Sequence, residues 1–200
     1  MTRIGEVQNQ EPNLRRYLAA GHYYGLAKWF HFGGLWITVV LALVSPFVLV
    51  FKPDFGPTLG AIAGAWLFAS RLLLEPIKRD LQLKGATAQE MFDCDIFGLK
   101  WNDTLVKRLS EEEIRGASGS MRRADEVRDW YPAGENMDWP RSVLVCQRSN
   151  AVWARRQHRA FAWVLYVAAG GWAAVGVVVE RSASPSRTMK PGRSSSTSTP

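Results

Sequence analysis

The chain has 200 residues and a mass of 22.4 kDa, enough for one ordinary domain or a small soluble part joined to membrane helices, and too short for two large soluble domains. Hydrophobic residues make up 47% and aromatic residues 12%, with nine Trp, which excludes a disordered chain, and two Cys exclude a disulfide scaffold. The formal net charge is +7, and the mean hydropathy of −0.12 averages charged blocks with long apolar ones.

In chain order, Met1 to Gln10 is polar and is expected to fray. From Asn13, NLRRYLAAGHYYGLAKWFHF predicts a helix at, or running into, a membrane interface, with Tyr23, Tyr24, Trp29 and Phe30 at headgroup level. Residues 1–31 are thus read as a polar, interfacial N-terminal helix, and a cleaved signal peptide fits this start badly. Residues 32–51 hold no formal charge over roughly 20 positions, the length of a bilayer core, and predict the first spanning helix. Lys52-Pro53-Asp54 is short enough to force a hairpin, and residues 55–74 predict a second span, with Arg71 snorkelling.

Residues 75–159 form the long polar segment. Pro76 should kink the helix leaving span two or break it at the surface, because it lacks a donor and clashes with the preceding turn. Ser110 and Glu113 form a capping-box pattern that announces a further helix, ended by Gly116 to Ser120. After a turn at DWYPAG, Asp138 and Pro140 mark the start of a long helix running into a third span at residues 160–179. The Ser/Thr/Pro-rich residues 180–200 are expected to be disordered. No stretch alternates with period two, so the expected fold class is all-α, a multi-span helical membrane protein with a small helical cytosolic segment between spans two and three.

Basic residues gather at the membrane-proximal ends: Arg15, Arg16 and Lys28; Arg71, Lys78 and Arg79; Arg148, Arg155, Arg156 and Arg159. That bias puts the N-terminus and the central segment in the cytoplasm. From Arg71 to Arg159 there are 16 basic and 14 acidic residues, so the high pI reflects topology and anionic-lipid contact, and no nucleic-acid polymer is expected as a partner.

Candidate chemistry is sparse. Asp93 and Asp95 are i, i+2 neighbours on different helical faces, without a third ligand at metal spacing, so a metal site is not expected; a salt bridge to Arg148 or to another helix's Arg is. Cys94 and Cys146 are expected as reduced, buried thiols. Trp101, Trp130, Tyr131, Trp139 and Trp153, interleaved with arginines such as Arg122, Arg123, Arg128, Arg141 and Arg148, could stack and bind the phosphates of a cyclic nucleotide, or could build a core; the core reading is favoured. Gly56, Gly60 and Gly64 lie on one stripe of span two, and Ala169 and Ala173 on one of span three, for packing within the chain or between subunits. There is no phosphate loop or nucleophile–base arrangement, so no catalytic residue, no cofactor and no enzyme activity are predicted.

NLRRYLAAGHYYGLAK near the start, QEMFDCDIFGLKWN (89–102), DWYP (129–132) and CQRSN (146–150) resemble the ordered landmarks of the bacterial S-4TM family, the SMODS-associated four-transmembrane effectors proposed to form pores. The resemblance implies a four-helix protein of the bacterial inner membrane, with a cytosolic part between its second and third spans. It implies an effector of nucleotide-second-messenger antiphage defence that damages the membrane on activation. The partners implied are the lipid bilayer, a cyclic nucleotide or a nucleotide-sensing protein, and further copies of the chain. The family-motif positions are Phe92, Asp93, Cys94, Asp95, Trp101, Asn102, Asp129, Trp130, Tyr131, Pro132, Cys146, Gln147, Arg148 and Asn150, as structural or effector-binding residues. Where the family places a fourth span, this sequence has the Ser/Pro-rich tail, which suggests truncation, a frameshift or a degenerate copy. A membrane-anchored nucleotide-binding or regulatory protein without a pore is the alternative.

Overall fold

A computed structural model describes residues 3–132 and 137–183. Among the described residues there are helices and turns and no strand, as the missing alternation implies. The chain divides into two compact units, Met1–Gln147 and Arg148–Pro200.

The first unit opens with α1 (Arg3–Gln8), which is folded rather than frayed: Ile4 and Gln8 are buried. Helix α2 (Glu11–Phe51) starts with Pro12 in its first turn, where a missing N–H costs nothing, and runs 41 residues, about 60 Å. Its sequence divides it in two. Asn13, Leu14, Ala19, Ala20 and Ala27 are buried, so the first half packs inside a helical cluster, while Leu35 to Phe51 turns large apolar side chains outward. Tyr23 and Tyr24 belong to the packed half and are partly buried; Trp29, expected beside them, is 71% exposed. Pro46 lies within the outward half without ending the helix.

A tight turn at Pro53–Phe55 leads to α3 (Gly56–Ala69). Before Pro76 the helix widens into one π-turn, Ser70–Leu74, then continues as α4 (Glu75–Phe97). The widened turn lies directly ahead of the ring that would otherwise clash with the preceding carbonyl, so Pro76 produces neither a break nor a loop. Helix α4 ends at Gly98, whose φ of 66° only glycine adopts cheaply; Leu99 N–H donates to Cys94 O at 2.8 Å and Gly98 N–H to Asp95 O at 3.3 Å, a Schellman motif. Helix α5 (Glu111–Ser118) carries the expected capping box, with Glu113 N–H on Ser110 Oγ at 3.2 Å and Ser110 N–H on Glu113 Oε2 at 2.9 Å. A short turn at Met121–Arg123 continues as α6 (Ala124–Val127).

Helix α7 (Trp139–Ala183) begins where Asp138 and Pro140 predict it and crosses from the first unit into the second. Arg181 to Ala183, expected in the disordered tail, extend this helix; residues 184–200 lie outside the described residues.

Two apolar clusters hold the first unit together. Ile4, Phe92, Ile96, Phe97, Tyr131 and Cys146 form one, joining α1, α4, the DWYP segment and the root of α7. Ala19, Ala20, Ala88, Met91 and Ile114 form the other, joining α2, α4 and α5. Three alanines there let α2 and α4 approach closely, and Gly85 faces the Tyr24 ring so tightly that a Cβ would meet it at 3.1 Å.

Three helical stretches, Glu11–Phe51, Pro53–Phe97 and Trp139–Val178, are long and apolar enough to cross a membrane, and no residue of their most apolar windows is buried. A water-soluble chain does not leave Phe47, Val50, Leu67, Phe68, Trp163 and Val164 each more than 60% exposed; hydrocarbon solvates such faces. The protein is a multi-span helical membrane protein.

Candidate functional site: a polar latch beside an open groove

Successive residues on α4 lie about 100° apart, so FDCD aims four side chains in different directions. Phe92 enters the first apolar cluster. Asp93 accepts a hydrogen bond from the Tyr131 hydroxyl at 2.6 Å. Cys94 is buried, with its thiol 3.7 Å from Glu90 Oε1. Asp95 pairs with Arg16 of α2, so the acid–arginine bridge expected here is made by another helix's Arg and not by Arg148.

The DWYP segment is fastened from the opposite side by α1. Gln8 pairs with the Tyr131 backbone as a strand would: Tyr131 N–H donates to Gln8 Oε1 at 2.9 Å and Gln8 Nε2 to Tyr131 O at 3.4 Å. The next residue, Asn9, holds Asp129 by side chain and backbone, donating to Asp129 Oδ1 at 2.8 Å and accepting from Asp129 N–H at 3.0 Å. Asp129 has φ 50°, a left-handed conformation that Asp tolerates better than most residues. Asn13 Nδ2 reaches Val7 O at 2.9 Å and Asn13 Oδ1 accepts from Arg16 at 2.8 Å, closing the network back onto the Asp95 pair. Side-chain amides thus satisfy backbone groups that secondary structure leaves open.

Electrostatically the latch is held near a titration point. Burial pushes the Asp93 carboxyl up to about 6; the Tyr131 hydrogen bond opposes that shift and Glu90 adds to it. Burial, with Asp93 nearby, raises the Tyr17 hydroxyl and the Cys146 thiol as well, so both are neutral at physiological pH. Cys94 and Cys146 are free and buried.

Tyr17 connects this latch to a groove. Its ring lies 4.6 Å from Trp130 and 5.1 Å from Phe92, while it also lines an open cavity of about 580 Å³ between α2 and the turn after α5. Gly21, His22 and Gly25 form the α2 wall; Ser118, Gly119 and Arg123 lie opposite. A second cavity of about 30 Å³, bordered by Arg16, Cys94, Asp95, Trp101 and Arg108, has room for one water, and Arg16 Nε is buried at its side without a protein partner.

The remaining motif residues scatter. Trp101 donates to Val106 O at 3.0 Å beneath the Arg108 guanidinium, and Asn102 Oδ1 accepts from Thr104 N–H at 3.1 Å, so both shape a local turn. Pro132 and Gln147 are exposed; Arg148 and Asn150 belong to the second unit. Of the aromatic and arginine residues considered for one stacking pocket, Tyr131 is core, Trp139 is exposed, Arg123 and Arg128 bond Glu126 and Asp125 at 2.9 and 3.0 Å, and Trp153 and Arg148 belong to the second unit. In α3, a Cβ on Gly56 would meet Leu49 at 3.3 Å, whereas Gly60 and Gly64 face open space; Ala169 and Ala173 are exposed on α7. Among the described residues no group of three His, Cys, Asp or Glu could hold a metal.

Residues 2–184 match the sequence profile of the SMODS-associating 4TM effector domain. The chain belongs to that family. This S-4TM chain is also similar to a probable CBASS effector molecule of Bacillus cereus (strain VD146), 28% identical over 169 residues that cover 80% of this chain and 57% of that protein. It therefore spans little more than half the length of that relative. No solved structure matches it.

Several contacts of this S-4TM chain were not visible in its sequence. Gln8 and Asn9 carry the latch without belonging to any recognised motif, and a polar pair followed by Asn13 was the available signal; Tyr17 lies within the first landmark but was not singled out in it. In the hairpin, Trp66 Nε1 donates to Thr38 Oγ1 at 3.1 Å and Gly34 lies close to Leu74 and Trp66, so small and polar residues of span one do the packing that span two's glycines suggested.

Proposed function

We propose that this chain is a membrane effector of a nucleotide-signalled antiphage defence system, held in the bacterial inner membrane with its N-terminus and central segment cytoplasmic. A signal received by the soluble cluster shifts the latch, several copies associate through their spans, and the bilayer loses its barrier. The observation that carries this reading is the division of α2: one unbroken helix has its first half packed against the latch helices and its second half bare among lipid. A change at Arg16 or Tyr17 therefore reaches the membrane through a rigid rod.

The Lys/Arg bias of the membrane-proximal ends supports the orientation. The open faces at Gly60 and Gly64 support association of copies. The groove beside Tyr17 supports reception of a small ligand or a sensing partner, and the similarity to a probable CBASS effector molecule supports the nucleotide context.

The test is dye release from vesicles bearing the purified full chain, with and without a panel of cyclic di- and trinucleotides. Release that depends on one nucleotide is expected. Tight nucleotide binding with intact vesicles would replace this reading with a membrane-anchored regulator that forms no pore.

A further inference from the structure

The second unit carries an unbalanced charge. From Arg148 to Val178 the sequence has four arginines and no Asp or Glu, and all four are exposed. No ion pair joins any of them to an acid among the described residues. In the first unit some cations have acids: Lys78 meets Glu75 at 2.5 Å, Lys84 meets Asp80 at 3.2 Å, and Arg16 meets Asp95.

Three of the four lie in one turn and a half. Arg155 and Arg159 are i, i+4 neighbours and Arg156 and Arg159 are i, i+3, so their guanidiniums share one side of α7. The uncharged run starts at Ala160, placing all three within about 8 Å of the hydrocarbon edge, the depth of the headgroup layer. Trp163 follows Arg159 by one turn on the same side and is 70% exposed, as a ring at the boundary would be. A planar guanidinium grips a phosphate oxygen pair through two parallel hydrogen bonds, and a headgroup that carries its own ammonium competes for that phosphate.

We infer that Arg155, Arg156 and Arg159, with Trp163 beneath them, form a docking surface for anionic phospholipid, a phosphodiester whose headgroup brings no cation. Anionic lipid supplies the counter-charge that the protein omits. The site gives α7 a lipid-dependent height and tilt in the bilayer. It does not depend on the defence role proposed above.

The experiment places the full chain in vesicles mixing phosphatidylcholine and phosphatidylglycerol, with bromine on the acyl chains of one lipid or the other, and reads tryptophan fluorescence. Brominated phosphatidylglycerol is expected to quench more than brominated phosphatidylcholine at equal mole fraction. R155Q/R156Q/R159Q removes that excess, with local enrichment falling by roughly fivefold per arginine at low salt. R155K/R156K/R159K keeps the charge and the insertion, and retains a smaller excess that vanishes as salt rises. Equal quenching by the two lipids, an excess undiminished in the glutamine variant, a lysine variant identical to the native chain at every salt, or an excess abolished by inorganic phosphate in solution would each overturn the inference.

Discussion

The hydroxyl of Tyr131 donates to Oδ1 of Asp93 at 2.6 Å, tying the DWYP segment to the C-terminal end of α4 across 38 residues of sequence. Gln8 holds the same tyrosine by its backbone, so one residue is gripped by α1 and α4 together while its ring packs against Phe92 and Phe97. Tyr131→Phe keeps the ring and removes one donor from a buried carboxylate. The expected cost is about 1–3 kcal/mol, read as a lower unfolding midpoint of the detergent-solubilised chain at pH 7.

The Asp93 carboxyl titrates near 6 when folded and near 3.8 when exposed. Below pH 3.8 both states hold the proton and the group is neutral in its effect. Between the two values the unfolded chain releases its proton while the folded chain keeps it, so stability falls as pH rises, and the loss is complete above about pH 6. Asp93→Asn, which can still accept from Tyr131, should therefore stabilise the chain at pH 7.5 by about 1–3 kcal/mol. That gain should vanish on lowering the pH to about 4. Paired melting curves at the two pH values check it; an equal gain at both would show that ionisation of Asp93 is not the cause.

Gly85 is a point of close packing between α2 and α4. A Cβ there meets the Tyr24 ring at 3.1 Å, and a longer side chain has nowhere to go without separating the helices. Gly85→Leu should cost about 1–3 kcal/mol despite its better helix propensity. Hydrogen exchange would show faster labelling of amides near Ala20 and Ala88, whose burial depends on that approach.

Ser110→Ala removes one half of the capping box while leaving Ile114 in place. The expected loss is about 1 kcal/mol, confined to α5. Peptide-level hydrogen exchange should show Glu111–Ser118 opening sooner, with the α1 and DWYP amides unchanged.

How far the sequence could be read depended on the range of the forces involved. Uncharged runs of spanning length, the Ser110/Glu113 box and the Asp138–Pro140 start are local signals, and each names its element from a few neighbouring residues. Arg3–Gln8 looked polar and loose because its partners lie at Asp129 and Tyr131, more than a hundred residues away, where Gln8 and Asn9 pair with the DWYP segment. The FDCD block was legible as important but not as a division of labour. Which acid meets Arg16 and which meets Tyr131 depends on how α4 is rotated between α2 and the DWYP segment. The π-turn before Pro76 has the same origin: sequence marks the obstacle, and the packed helices on both sides decide whether the chain bends or widens.

The pairing of Gln8 with Tyr131 spans 123 residues, and both membrane-spanning helices of the hairpin lie between them. At ribosomal speeds of about 5–20 residues per second, α1 leaves the exit tunnel roughly 6–25 s before its partner exists. During that interval α4 and α5 can already cover the alanine face of α2, but the cluster around Ile4 still lacks Tyr131 and Cys146. The contacts of α1 with the DWYP segment can therefore close only after the hairpin has been made, so the helix that starts the chain is among the last to find its place.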